Sequence, residues 1–345
     1  MVLRTSLGSN YVSVTAFSVC IFKKDAQARQ ANMSGATLLF AHGSGFCKEV
    51  WDPIIRRVQA SSLLRKHATA GGQQPRYVTF DMPFHGTKRD ESVAATVHSE
   101  NPASLRVSHP GNQWVEWSSR EVYDQVQELG TKKAPLIGIG HSMGAAALWN
   151  TEAKYPGTFD GLILFEPVYA LHTAADIKSI DFLVAITLQR ESKWPSRAAA
   201  EAYFGSLRNF ASWDRESLKS WVQGAIVEDD KDRSPAVSLA CHPHIEASIY
   251  TGDTLDLSER ELGQPKCRAV FQSGARTQLF EDAFFAGLAD KFPHIYSVGA
   301  PMSKCSHLMV FENPDLATER IVDALALFPP FVDGGSASMA TASRL

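Results

Sequence analysis

Four short apolar runs punctuate the first half of the chain: Thr37 to Ala41, Tyr77 to Phe80, Leu136 to Ile139 and Gly161 to Phe165. Runs this short and this continuously apolar, bounded by turn residues, predict strands buried on both faces, as in a parallel sheet. The segments between them have helical character. Glu49 to Ser61 fills the first gap, Asn112 to Leu129 the second, and Ser142 to Lys154 the third; Val115, Val122, Val126 and Leu129 fall on one helical stripe. Strands alternating with helices predict an α/β protein whose parallel sheet is covered on both faces. Ahead of these, Tyr11 to Phe22 alternates and is rich in β-branched and aromatic residues, predicting two short strands or one bent strand at the sheet edge.

The rhythm breaks after Phe165. From about Tyr169 to Pro265 no strand pattern is visible, while Ile180 to Gln189, Ser196 to Phe210 and Ser217 to Val227 carry helical periodicity and many aromatics. The sheet pattern resumes at Cys267 to Phe271 and Ile295 to Val298, and a last helix is predicted from about Leu316 to Leu327. The expected organisation is a core built from residues 1–168 and 266–330, a helical cap at 169–265 inserted after the sixth of eight strands, and a flexible tail at 331–345. A cap in that place covers the carboxyl ends of the strands, where such sheets bind ligands.

With 345 residues and 44% hydrophobic content, the chain suits one elaborated α/β domain. A formal charge of -3 and the lack of a long basic block give no electrostatic footprint for nucleic acid. The five cysteines are scattered, so neither a disulfide framework nor a zinc site is indicated, and Cys241-His242-Pro243-His244 reads as a cap turn rather than a metal cluster. No organic cofactor is called for. No run approaches the roughly 20 apolar residues of a membrane span, and the start of the chain lacks a signal-peptide core, so a soluble, unsecreted protein is expected. The chain closes on Ser343-Arg344-Leu345 behind a small, polar stretch from Gly334 to Ala342. This matches the address read by the peroxisomal import receptor, with arginine where lysine is more usual.

The chemistry concentrates at Gly140-His141-Ser142-Met143-Gly144, which joins a predicted buried strand to a predicted helix. A G-x-S-x-G turn holds its serine in strained backbone geometry that lifts Oγ clear of the sheet, which makes Ser142 the candidate nucleophile. A serine hydroxyl needs a base. Of eleven histidines, His307 has the right place in the chain, after the strand Ile295 to Val298 and before the last helix. The commonest position for an acid is the loop after the seventh strand, but Gly274-Ala275-Arg276-Thr277-Gln278 holds no carboxylate before Glu281 and Asp282. The end of the sixth strand offers Glu166, ahead of Pro167, an arrangement similar to that of haloalkane-dehalogenase-like enzymes. Glu166 is the favoured orienting acid, with Glu281 and Asp282 as alternatives. For an oxyanion, His42-Gly43-Ser44-Gly45-Phe46 offers Ser44 as first backbone donor with Gly45 as fallback, and Met143 offers the second from the helix N-terminus.

Other residues have plainer roles. Asp81 and His85, in Asp81-Met82-Pro83-Phe84-His85-Gly86, are expected to tie loops together below the site. Trp194, Tyr203, Phe204, Phe210, Trp213 and Trp221 are expected mostly to pack, some of them lining an apolar acyl pocket. Arg190, Lys193 and Arg197 are candidates to meet a carboxylate or a coenzyme A phosphate, or else form a solvated face.

Taken together, Ala41-His42-Gly43-Ser44-Gly45-Phe46-Cys47-Lys48-Glu49-Val50-Trp51, Gly140-His141-Ser142-Met143-Gly144 and Ser306-His307-Leu308 resemble the α/β-hydrolase superfamily from about Val12 to Leu327. The Gly45-to-Trp51 stretch and the C-terminal tripeptide are similar to those of the fungal peroxisomal lipase and toxin-biosynthesis hydrolase group. The resemblance implies an eight-stranded α/β-hydrolase fold and ester hydrolysis through an acyl-enzyme, without metal or cofactor, on a small-molecule acyl substrate. Acyl-CoA thioesterase activity is a second expectation. Dehalogenase and epoxide-hydrolase activities are disfavoured because those relatives carry aspartate where this chain has Ser142. A non-catalytic ligand-binding protein on the same shell is a third reading, opposed by the intact Ser142, His307 and oxyanion turn.

Overall fold

The computed structural model describes residues 35–130, 134–170, 172–228, 236–277 and 279–332. In chain order its strands are β1 (Thr37–Ala41), β2 (Arg76–Thr79), a hairpin of β3 (Thr96–His98) and β4 (Arg106–Ser108), β5 (Leu136–His141), β6 (Gly161–Phe165), β7 (Lys193–Trp194), β8 (Ile226–Glu228), β9 (Val237–Leu239), β10 (Arg268–Gln272) and β11 (Tyr296–Val298). Six of them form one sheet in the order β11-β10-β6-β5-β1-β2, every pair parallel. Each strand predicted between Thr37 and Val298 is present, within one or two residues of its expected ends. The edge strands expected at Tyr11 to Phe22, which would extend the sheet toward eight, lie outside the described residues, as does the tail from residue 333.

Period-two alternation assigns the strands to two cores. Leu38, Phe40, Ile137, Ile139, Ile163 and Phe165 face one layer of helices, while Leu39, Ala41, Leu136, Leu162 and Leu164 face the other. All eleven side chains are buried, and each large one stabilises the fold by about 1.5–3 kcal/mol relative to exposure. The helix Met143–Lys154 is buried from Met143 to Ala153, because the helix Trp114–Glu128 lies across its outer side. It approaches the sheet so closely that a Cβ on Gly144 would stand 2.3 Å from the carbonyl oxygen of Ala41. No side chain fits there, so the second motif glycine is required by packing.

Register decides what emerges at the carboxyl edge. Ala41 lies opposite Gly140, and Phe165 lies opposite both His141 and Gln272. The residues that follow these aligned ends, His42, Ser142, Glu166 and Ser273, therefore leave the sheet side by side. The chain also reverses its direction of strand addition between β1 and β5, and a sheet opens its ligand crevice at such a switch.

The segment between β6 and β10 contains the helices Ala174–Leu188, Arg197–Ser206, Arg215–Ala225, Pro243–Tyr250 and Glu259–Leu262. It also contains a three-stranded antiparallel sheet in the order β7-β9-β8, contrary to the expectation of a strand-free segment. These strands are two or three residues long, too short for alternation to register as a pattern. The predicted helix Ser217 to Val227 ends at Ala225 for the same reason: Ile226 and Val227 pair with β9. His242 accepts the amide of His244 ahead of Pro243, so this Cys-His-Pro-His run is a helix cap. No helix of the described residues is long and apolar enough to cross a membrane.

Candidate active site

Ser142 sits at the sharp turn between β5 and its helix, with φ 55° and ψ -121°. That left-handed backbone is unfavourable for a residue with a Cβ. It is held from both sides: the Ser142 amide donates to the carbonyl of Phe165 at 2.9 Å, and its carbonyl accepts the amide of Ala146 at 3.0 Å.

His307 arrives from the loop after β11. Its Nε2 stands 3.0 Å from Ser142 Oγ, and its Nδ1 stands 2.7 Å from Glu166 Oε2. A carboxylate acceptor at Nδ1 fixes the proton on that nitrogen and leaves Nε2 free to accept from the serine. Glu166 is 1% exposed and, like Ser142, has a positive φ, 40°. Besides the imidazole it accepts the Gly274 amide at 2.7 Å and the Thr277 hydroxyl at 2.8 Å. The structure therefore brings Ser142, His307 and Glu166 into one hydrogen-bonded line. Glu281 and Asp282, the alternative acids, are exposed at the start of the helix Asp282–Lys291, and neither reaches His307.

Two supporting residues escaped the sequence reading. Thr277 stands in the loop where an acid was sought, and that loop instead donates to the Glu166 carboxylate at the end of β6. His141 occupies a variable position of the G-x-S-x-G motif, and its Nε2 donates to the carbonyl of His307 at 2.7 Å. Burial, reinforced by the nearby His307, holds the His141 pKa well below the usual value, so the ring is neutral and can act as a fixed donor. Only the adjacency of His141 to Ser142 hinted at such a role.

The turn after β1 is clamped. The Gly45 amide donates to His85 Nε2 at 2.9 Å, and its carbonyl accepts Trp221 Nε1 at 3.1 Å. Gly45 has φ 76°, and a Cβ there would lie 2.7 Å from Glu246 Oε1. Its amide being committed to His85, Gly45 is not available as the fallback oxyanion donor. Ser44 and Met143 both line the cavity beside Ser142, and neither amide has a protein acceptor among the described residues. Burial pushes the His42 pKa down to about 3 and lowers that of His85. Both rings stay neutral at neutral pH, which suits them to accept the amides of Met82 and Gly45. Asp81 collects the amide and Nζ of Lys48 and the amide and hydroxyl of Thr87, so Asp81 and His85 do tie these loops together.

A cavity of about 380 Å³ opens onto Ser142 and His307. Its apolar wall comes from Trp114, Val168, Ile180, Leu183, Ile249 and Leu279. The six aromatics expected mostly to pack do so, and none of them lines the cavity. Trp194, Phe204, Phe210, Trp213 and Trp221 instead pack against one another, mostly tilted or edge to face, and Trp213 packs on Phe46 and stacks on Phe311, joining one of the two cores. Two of the three basic candidates are likewise engaged elsewhere: Arg190 pairs with buried Glu246 at 2.6 Å, and Arg197 donates to the carbonyls of Val222 and Ile226.

The sequence profile described as the alpha/beta hydrolase family matches residues 38–320. The abhydrolase domain-containing protein AKT2 of Alternaria alternata is 30% identical over 38% of this chain and 49% of its own length. The type I acyl-CoA thioesterase mpaH of Penicillium roqueforti is 25% identical over 48% of this chain and 34% of its own length. These matches thus span half or less of each relative. Among solved structures, the peroxisomal alpha-beta-hydrolase Lpx1 of Saccharomyces cerevisiae superposes with a TM-score of 0.62 at 19% identity, over 87% of this chain and 78% of that one.

Proposed function

The chain belongs to the alpha/beta hydrolase family, and on that premise we propose that it is a serine hydrolase cleaving an apolar acyl ester through an acyl-enzyme. The observation that carries this reading is the unbroken line from Ser142 Oγ through the His307 ring to Glu166, with links of 3.0 and 2.7 Å. In the proposed reaction, Ser142 Oγ attacks the ester carbonyl carbon while its proton passes to His307 Nε2. Glu166 stabilises the resulting imidazolium without taking the proton. The amides of Ser44 and Met143 receive the oxyanion; one such donor contributes about 2.7–4 kcal/mol to lowering the barrier. Collapse breaks the bond to the alcohol, which His307 protonates as it leaves. Water then gives a proton to His307 and attacks the acyl-serine, and the acid departs with Ser142 restored. The acyl chain occupies the wall formed by Ile180, Leu183 and Ile249, contributed by the segment at 169–265 that this reading treats as the cap.

A fluorophosphonate probe tests the site directly. It is expected to add once, on the peptide containing Ser142; an adduct elsewhere, or none, overturns the assignment. Thioester cleavage by the same residues is the second reading, favoured by the similarity to an acyl-CoA thioesterase.

The same proposal includes import into peroxisomes, through recognition of Ser343-Arg344-Leu345 by the import receptor. The peroxisomal origin of a structural neighbour supports it. A fluorescently tagged chain lacking these three residues is expected to stay in the cytosol, and undiminished import of that variant would remove the tail assignment.

A further inference from the structure

Among the described residues lining the cavity, Arg276 alone carries a permanent charge. Its amide donates to the carbonyl of Cys305 at 2.8 Å, which ties it to the loop that delivers His307. The guanidinium is 59% exposed and reaches Glu312 Oε1 only at 3.6 Å, longer than a hydrogen bond. Glu312 does not depend on that contact. It accepts the Ser306 amide at 2.6 Å, the Ser306 hydroxyl at 3.0 Å and the Ser212 hydroxyl at 3.1 Å. An arginine fork, whose geometry suits two-pronged pairing with a carboxylate or phosphate, is thus left at the cavity with one long contact. Arg190 and Arg197, by contrast, are held by Glu246 and by main-chain carbonyls.

Its position indicates which end of a substrate it would meet. The histidine that takes the serine proton later returns it to the departing group, so that group lies on the histidine side of the scissile bond. Arg276 lines the same cavity as His307 and is bonded through its amide to Cys305, two residues before that histidine. Resting on the serine-hydrolase reading, we infer that Arg276 selects substrates whose leaving group carries an anion, a carboxylate or a phosphate, over neutral ones.

The test is calorimetric binding to the Ser142→Ala protein and to the Ser142→Ala, Arg276→Gln double variant, which hold substrate uncleaved. Two pairs of compounds are compared: octanoyloxybenzoate against nitrophenyl octanoate, and octanoyl-coenzyme A against the neutral S-octanoylpantetheine. The preference for the anionic member is expected to fall by about five- to tenfold with Arg276→Gln, as suits a partly exposed charge-assisted pair. Arg276→Lys should retain part of it. A selective fall in the ester pair alone assigns a carboxylate, and one in the thioester pair alone assigns a phosphate. An unchanged preference in both pairs, or equal weakening of both members, overturns the inference. Because binding is the readout, failure of the wild-type protein to cleave any of the four compounds would remove the serine-hydrolase reading separately from the Arg276 result.

Discussion

Replacing Ser142 by alanine is expected to lower kcat for nitrophenyl octanoate by roughly 10⁴- to 10⁶-fold while leaving the fold intact, because this change removes the reacting atom and little else. The backbone bonds at the turn, from the Ser142 amide to Phe165 and from Ala146 to the Ser142 carbonyl, do not involve Oγ and persist in the variant. Alanine tolerates the 55° φ about as poorly as serine does, so the urea midpoint should stay within the spread of ordinary surface substitutions. The amides of Ser44 and Met143 also remain, which sets a residual rate above that of water. The measurement is initial velocity with the urea midpoint recorded on the same preparation. Turnover near the wild-type rate in a folded variant would remove the acyl-enzyme mechanism. A wild-type protein that binds ester without releasing product would point instead to the ligand-binding reading.

The strand pattern and the sharp turn at Gly140 to Gly144 were legible in the sequence because both depend on local rules. Buried parallel strands need continuous apolar runs, and a Cβ on Gly144 would stand 2.3 Å from the Ala41 carbonyl oxygen, in a space that admits no side chain. His307 was legible from chain order alone. What escaped is what depends on register between distant segments. That the Gly274 amide and Thr277 hydroxyl would turn toward Glu166 follows from the pairing of Gln272 with Phe165, and no pattern within either strand encodes that pairing. Which apolar side chains line the cavity was illegible for a similar reason. Aromatics near Trp213 and Trp221 have the same composition whether they line a cavity or join a core, and here they join the core around Phe311. Ile180 and Ile249, ordinary apolar residues on two different helices, form the wall instead.

Glu166→Gln is expected to lower kcat by about 10⁴-fold, whereas Glu281→Gln and Asp282→Asn should each stay within about twofold of wild type. Donors decide the outcome. Around the Glu166 carboxylate stand three donating groups, the Gly274 amide, the Thr277 hydroxyl and His307 Nδ1–H. A carboxylate accepts from all three. Glutamine offers one acceptor oxygen and one NH₂, so some donor must face a donor. The hydroxyl can rotate and the main-chain amide cannot, so the glutamine oxygen stays with Gly274 and its NH₂ turns toward the imidazole. His307 then relieves the clash by moving its proton to Nε2, where it meets the Ser142 hydroxyl as a donor and can no longer accept from it. The chemistry is lost through the wrong tautomer while the imidazole remains in place, held through its carbonyl by His141. Substrate binding should change little, so the loss appears in kcat far more than in KM. A folded Glu166→Gln protein with near-normal kcat, or a comparable loss from Glu281→Gln, would place the orienting acid elsewhere.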